Sequence, residues 1–278
     1  MNTKIIEVAK HSSIYGISSA LQSVIGFALL PLLTKFYSAE EFGVYSLLIL
    51  VSTLAGAFFY FGSTSTLNRY FFEVDTVEHK KLIVSSTFLI ILVGASLQVL
   101  LGFIFATKIS ILLTNSSAYE GHVFLIMLAN AFSMLMNYNF MVLRLEKKSK
   151  VFVILNIGMN LINVFLVYVL LVHFNSGIYA PIVGLLMANV IAFVISLIFI
   201  RNFFVANIDS GMLGEYLYFG ISASLNGLTY YFLDWIDRFF LKEYLTLSDV
   251  GIYSIGYKMG LIIHVIMIIP FSMIWSTV

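Results

Sequence analysis

Five ionisable side chains crowd one short stretch of the chain, "FLDWIDRFFLKE" (232–243), in an otherwise apolar neighbourhood. Asp234 and Arg238 are four residues apart and share a helical face, which Lys242 continues, so an acid–base pair can form along it. Asp234 and Asp237 are therefore candidates for coupling to an ion or for ion pairing. Lys258 lies about two turns into the next apolar run, and Arg69, in "LNRYFF" (67–72), closes an earlier one. Each of these cations could anchor a helix end by snorkelling. Facing a water-filled cavity instead, Arg69, Arg238 and Lys258 could bind an anionic group. Ionisable groups within membrane spans are costly and are functional candidates by default.

Other chemistries find no support. The chain has no cysteine, hence no thiolate nucleophile, disulfide or Cys metal site. Its histidines (11, 79, 122, 173 and 264) show neither H-x-x-x-H nor H-E-x-x-H spacing, and no Walker A sequence occurs. No cofactor is implied. The net charge of +1 comes without any nucleic-acid motif, so nucleic acid is set aside as a partner. Gln22, Asn156, Asn160, Asn163 and Asn226 are polar residues within apolar runs, and hydrogen bonding between helices accounts for most of them. The many Phe and Tyr residues read as packing and lipid-facing surface.

The elements that must position these residues follow from composition. Hydrophobic residues make up 60% of the chain and charged ones 10%, with a mean hydropathy of +1.00. Soluble domains carry about 25% charged residues. Runs without Lys, Arg, Asp or Glu recur at a length that crosses a ~30 Å hydrocarbon core. The run 151–200 divides at "HFNSGIYAP" (173–181), whose Asn, Gly and Pro mark a turn. The chain therefore predicts an all-α polytopic membrane protein with eight spans, near 13–34, 44–67, 83–106, 122–143, 152–172, 179–200, 216–236 and 252–277. The first is read as a retained span, because its apolar run is too long for a signal peptide and no small-residue cleavage site follows.

Basic residues set the direction. With the N-terminus in the cytoplasm, ten Lys and Arg fall in inside segments and four in outside ones. "RLEKKSK" (144–150) is the strongest marker, and its plain reading is a topology signal.

The chain also repeats itself. "YGISSALQSVI" (15–25) matches "FGISASLNGLT" (219–229), and "FYSAEEFGVYSL" (36–47) matches "YLTLSDVGIYSI" (244–255), at offsets of 204 and 208 residues. The four-residue difference is about one helical turn, so faces are preserved. The copies begin six spans apart, which makes the repeat parallel. Two bundles are expected: 1–205 as a six-helix bundle and 206–278 as the first two helices of a second. A complete second half would need roughly 130–140 further residues, so a truncated chain is expected. In the first copy the stretch aligned with the charged segment reads "LLPLLTKF", and Lys258 aligns with Leu50. Asp237, Arg238 and Lys258 are charges that the first copy does not have.

"YGISSALQSVIGFALLPLLTKFYSAEEFGVYSLL", "DRFFLKEYLTLSDVGIYSIGYKMG" and "PFSMIW" resemble polysaccharide-biosynthesis transporters, the Wzx-type O-antigen flippases. The resemblance implies the multidrug/oligosaccharidyl-lipid/polysaccharide exporter superfamily and a MATE-like fold of two parallel-repeat bundles, the second incomplete here. It implies movement of undecaprenyl-diphosphate-linked oligosaccharide across the bacterial cytoplasmic membrane, among membrane lipids, by alternating access. It further implies a cationic cavity, to which Arg69, Arg238 and Lys258 could map, and a proton or sodium ion as coupling partner through Asp234 or Asp237. The chain lacks the Arg or Lys within span one that related lipid II flippases carry. The alternatives are a cation-coupled multidrug exporter on the same fold and, with less support, a membrane-embedded glycan polymerase or acyltransferase. The expectation is a transporter and not an enzyme.

Overall fold

The computed structural model describes residues 21–263, with a few side chains of the eighth and ninth helices left out. The described residues are almost wholly helical: α1 (from Leu21 to Phe36), α2 (Ala39–Phe59), α3 (Ser63–Glu73), α4 (Val77–Thr114), α5 (Glu120–Leu145), α6 (Ser149–Val172), α7 (Tyr179–Ile200), α8 (Leu213–Tyr244) and α9 (Leu247–Ile263). Five helical stretches among them are long and apolar enough to cross a membrane, one being α2 and α3 together. The chain is a multi-pass membrane protein. Successive spans run antiparallel, with α2 and α3 counted as one, so the turns at 74–76 and 146–148 and the segment 201–212 gather at one end. That end carries Lys80, Lys81, Arg144, Lys147, Lys148, Lys150 and Arg201 and is called the basic end below.

The expected span boundaries need three corrections. The span placed at 44–67 is two helices, because Phe61 and Gly62 adopt left-handed backbone (φ 47° and 60°) and break the hydrogen-bond ladder. Glycine is required at 62, since a Cβ there would run into the carbonyl of Gly220 on α8. The span placed at 83–106 is a 38-residue helix, started by Thr76 accepting from the His79 amide and stopped by left-handed Asn115. At ~1.5 Å per residue it exceeds a ~30 Å hydrocarbon core, so its ends project into the headgroup layers. The span placed from 252 begins at Leu247, which carries Lys258 about three turns into its helix. The expected spans at 13–34 and 252–277 lie partly outside the described residues.

The repeated phrase has a structural meaning at each of its positions. Ser38 and Glu41 form a reciprocal cap at the start of α2: the Ser38 hydroxyl accepts from the Glu41 amide at 3.2 Å, and the Glu41 carboxylate accepts from the Ser38 amide at 2.9 Å. Thr246 and Asp249 do the same at the start of α9, at 3.2 and 3.0 Å. Such a cap contributes about 1 kcal/mol by satisfying amides that the helix leaves unpaired. One half-turn further on, Gly43 and Gly251 face each other. A Cβ on Gly43 would meet the carbonyl of Leu247, and one on Gly251 the carbonyl of Ala39. The helices thus touch backbone to backbone. Ser46 and Ser254 then meet across the seam, with the Ser46 hydroxyl donating to Ser254 Oγ at 2.7 Å. Every one of these pairs is 208 residues apart in the chain. The two copies of the phrase are two sides of one contact.

Around this seam the apolar core lies in two bodies. One, at the basic end, gathers Leu67, Phe71, Ile91, Tyr138, Leu143 and Ile200; the other gathers Leu33, Phe42, Leu47, Ile126, Val167 and Val250. Buried amides lie between them: Gln98 is 0% exposed and Asn189 is 1% exposed, its Nδ2 donating to the Ala129 carbonyl at 3.1 Å. The expectation for polar span residues holds at Asn156, whose Nδ2 donates to Gln22 Oε1 at 3.2 Å, while Asn160 bonds within its own helix. The outward faces of α4, α6 and α7 expose Phe103, Ile104, Ile154, Phe165, Val194 and Ile198, as lipid contact requires.

The seam predicts a cross-link. With no native cysteine, the Ser46→Cys/Ser254→Cys variant should close a disulfide under mild oxidation, since the hydroxyl oxygens are 2.7 Å apart and an S–S bond spans about 2.05 Å. Mass analysis of proteolysed protein should then recover α2 joined to α9. Two thiols that remain maleimide-reactive after oxidation would contradict the contact.

Candidate functional site

Beside the seam, towards the basic end, α2, α3, α5 and α8 enclose a cavity of about 670 Å³. α5 contributes one face at helical spacing: Asn130, Ser133, Asn137, Met141 and Arg144. Opposite it stand Thr53, Thr64, Ser65 and Asn68, and α8 adds Ala223, Ser224 and Leu228. The break between α2 and α3 makes room for this space, since Tyr60 and Gly62 line it. Left-handed backbone at a non-glycine such as Phe61 costs about 1–3 kcal/mol and is retained where the surroundings hold it.

The lining is polar and, among the described residues, almost uncharged. Hydroxyls and amides dominate, and Arg144 is its one ionisable member apart from the phenol of Tyr60. Arg144 is one residue from the end of α5, exposed at the basic end, with its guanidinium 5.5 Å from the Phe152 ring centre. Arg144 thus stands at the mouth and the amides lie deeper. Such a surface offers many weak, neutral hydrogen bonds inside and one strong cation at the entrance.

The residues singled out from sequence fall into two groups. Arg69 lies beside the cavity on α3 but turns away from it: Nε donates to Glu73 at 3.0 Å, and the guanidinium lies 4.5 Å from the Phe219 ring centre. It belongs to a fastening between α3 and α8, in which Tyr70 donates to Glu215 at 2.7 Å and Thr66 to the Tyr216 carbonyl at 3.1 Å. Arg238, Asp237 and Lys258 are brought together at the seam of α2, α8 and α9, away from the cavity wall. Arg238 is 2% exposed; its Nε donates to Ser254 Oγ at 3.1 Å and its guanidinium lies 4.6 Å from the Tyr257 ring centre. Asp237 accepts from the Tyr253 hydroxyl. Lys258 Nζ lies 5.1 Å from the Phe42 ring centre and 5.6 Å from that of Tyr45. The side chain of Asp234 lies outside the described residues. Lys242 leaves the expected stripe and donates to Asn115 at 3.2 Å, with Glu243 3.7 Å away.

A buried arginine costs about 2.5–3.5 kcal/mol at the centre of a membrane helix. Hydrogen bonding and desolvated cation–π contacts, about 2 kcal/mol at most each, offset that cost here. Sequence reasoning misses the cavity itself. It reads Arg144 as a topology marker and does not single out Asn68, Asn130 or Asn137. The signal is present on α5, where 130, 133, 137 and 144 recur at the helical period within an apolar run.

These features define an all-helical membrane fold of a known kind. The structure is similar to a solved structure of a liganded complex, described as that of the MATE multidrug transporter DinF-BH, with a TM-score of 0.76 and 12% identity, covering 95% of this chain and 62% of that one. A second solved chain, described only as "protein A", superposes at TM-score 0.68 and 14% identity over the same shares. The chain therefore spans about 62% of the length of the structures it matches. The sequence model for polysaccharide biosynthesis proteins matches residues 8–275. The chain belongs to that family. No curated protein matches it significantly.

Ser254 Oγ joins Arg238 to Ser46, so their energies are coupled. At about 0.6 kcal/mol per hydrogen bond between membrane helices, Ser254→Ala should destabilise the protein by about 1 kcal/mol and Ser46→Ala by about half that. Ser46→Ala should add little in the Ser254→Ala background. Equilibrium unfolding in detergent measures this cycle; fully additive losses would contradict the shared hydroxyl.

Proposed function

We propose that the protein transports polyprenyl-diphosphate-linked oligosaccharide across the bacterial cytoplasmic membrane, building a surface polysaccharide. The observation that carries this reading is the lining of the cavity, with neutral amides and hydroxyls within and Arg144 at the mouth. Sugars are recognised by dispersed hydrogen bonds, and a diphosphate by cationic donors. A polyprenyl tail needs no cavity, since it stays in lipid beside α4 or α6. Membership of the polysaccharide biosynthesis family supports the same substrate class.

On this reading the basic end faces the cytoplasm, following the excess of Lys and Arg there, and the N-terminus lies on the same side. Residues 1–205 form one bundle and 206–278 the start of its repeat. Arg144 receives the diphosphate from the inner leaflet. Arg238 and Lys258 meet it when α2 and α9 part and the opposite end opens, while Asp237, with Asp234, couples that motion to a proton or sodium ion. Arg69 fastens α3 to α8 at the inner side. The protein is a carrier, and no bond is made or broken.

The similarity to a multidrug transporter favours a second reading, cation-coupled drug export. Drug cations call for acidic partners, and the described lining of this cavity has none.

Arg144→Gln removes the entrance charge and leaves Lys147, Lys148 and Lys150 to hold topology. In cells that depend on the full-length gene it should lower surface polysaccharide at least tenfold with unchanged protein level, as should charge reversal at Arg238 or Lys258. Resistance to cationic dyes should not change. Normal glycan in all three variants would overturn the assignment; lost dye resistance with normal glycan would favour the drug reading.

A further inference from the structure

The deep end of the cavity has an orientation problem that the fold resolves. Asn130 lines the cavity, and its side-chain amide could present either an acceptor oxygen or a donor NH2 group to whatever enters. Gln98, fully buried on α4, decides between them. Its Nε2 lies 3.3 Å from the Ser52 carbonyl and 3.4 Å from the Met127 carbonyl, and both of these groups only accept. Turning the Gln98 amide over would set its oxygen against two carbonyl oxygens. Its NH2 group is therefore held towards α2 and α5, and it also donates to Asn130 Oδ1 at 3.0 Å. Gln98 Oε1 has no hydrogen-bond partner among the described residues, so the amide's own satisfaction does not account for its burial here. Gly56 completes the arrangement. A Cβ at that position would strike Asn130 Oδ1, so only glycine lets the carbonyl oxygen of Asn130 settle against α2.

With Oδ1 engaged by Gln98 and seated at Gly56, Asn130 Nδ2 has no protein partner among the described residues. We infer that Gln98 and Gly56 are positioning residues that keep the Asn130 NH2 group turned into the cavity, where it donates to the hydroxyl or acetamido oxygens of a sugar. Two turns along the same face, exposed Asn137 donates from Nδ2 to Ser133 Oγ at 3.3 Å; a hydroxyl can equally donate, so this amide can serve as donor or acceptor. The two amides stand about 10.5 Å apart along α5, a fixed donor deep in the cavity and an adaptable amide nearer the mouth. A glycan, which carries both acceptors and donors along its length, fits this order. The inference rests on the glycan reading above and assigns that cavity its polarity.

The test uses the full-length protein in lipid vesicles. Ser65→Cys, in a background otherwise free of cysteine, supplies a single reporter thiol on the cavity wall. Undecaprenyl-diphosphate-linked di-N-acetylglucosamine is the probe, and the reading is how far it slows maleimide labelling. Asn130→Asp keeps an oxygen facing Gln98 but removes the donor. It should raise the half-protecting probe concentration at least tenfold without lowering the melting temperature. Gly56→Ala, which displaces the Asn130 carbonyl, should do the same. Gln98→Leu should weaken protection in the reporter background yet add nothing in the Asn130→Asp background, whereas a purely structural Gln98 would weaken both alike. Should Gln98→Leu fail to fold, the other two variants still decide. Unchanged half-protection in Asn130→Asp, with the reporter protein still protected, overturns the inference. A reporter protein that the probe never protects overturns the glycan reading instead, and this inference with it.

Discussion

The contact between Gly43 and Gly251 is the constraint on which the rest of this structure depends. Where two membrane helices touch without side chains between them, dispersion between backbones supplies most of the adhesion, since lipid gives helices no hydrophobic reason to associate. The hydrogen bond from Ser46 to Ser254 adds about 0.6 kcal/mol on the scale measured for such bonds, less than the surrounding packing. Its value is directional, because it fixes the register of α9 on α2. That register carries Lys258 into the seam beside Phe42 and Tyr45, and sets Tyr253 and Tyr257 against Arg238 of α8. A second close approach, Gly62 against Gly220, ties the break after α2 to α8. Two glycine contacts, one before the break and one at it, thus frame the cavity.

The chemistry of the cavity follows from what is left out of it. A carrier must hold its cargo well enough to take it in and weakly enough to let it go. Many neutral donors and acceptors satisfy both needs for a sugar, because each bond replaces one to water at small net gain. On the proposed reading, one cation at the mouth satisfies them for a diphosphate. The buried cations of the seam are a different case. Their charge is committed to aromatic faces and to Ser254, and on the proposed reading it becomes available only when α2 and α9 separate.

Much of this is legible in the chain, and the misses have physical causes. The helical membrane class follows from hydropathy, and the family from phrases such as "EEFGVYS". The repeat is visible because the cap, the glycine and the serine of each copy serve one contact, so both copies must keep them. The break at Phe61 and Gly62 is hidden because nothing local demands it: it is imposed by Gly220, far along the chain. Arg144 is ambiguous because a cation at a helix end serves topology and a cavity mouth with the same sequence signature. Asn130 is invisible as a donor, since its polarity is set by Gln98, 32 residues away, and by the carbonyls of Ser52 and Met127. The grouping of Arg238 with Lys258 is anticipated by their shared cationic character, but their distance from the cavity wall depends on the tilt of α9, which no periodicity encodes.

The central claim is that the polar cavity carries the head of a lipid-linked glycan from one leaflet to the other. The most direct measurement follows that head group in vesicles. Full-length protein is reconstituted with undecaprenyl-diphosphate-linked oligosaccharide, and the fraction open to an externally added glycosidase is recorded over time. The account predicts that the protein makes the pool facing the lumen accessible within minutes, and that Arg144→Gln slows this strongly. If the inner pool stays protected in the presence of active, correctly folded protein, the account is wrong.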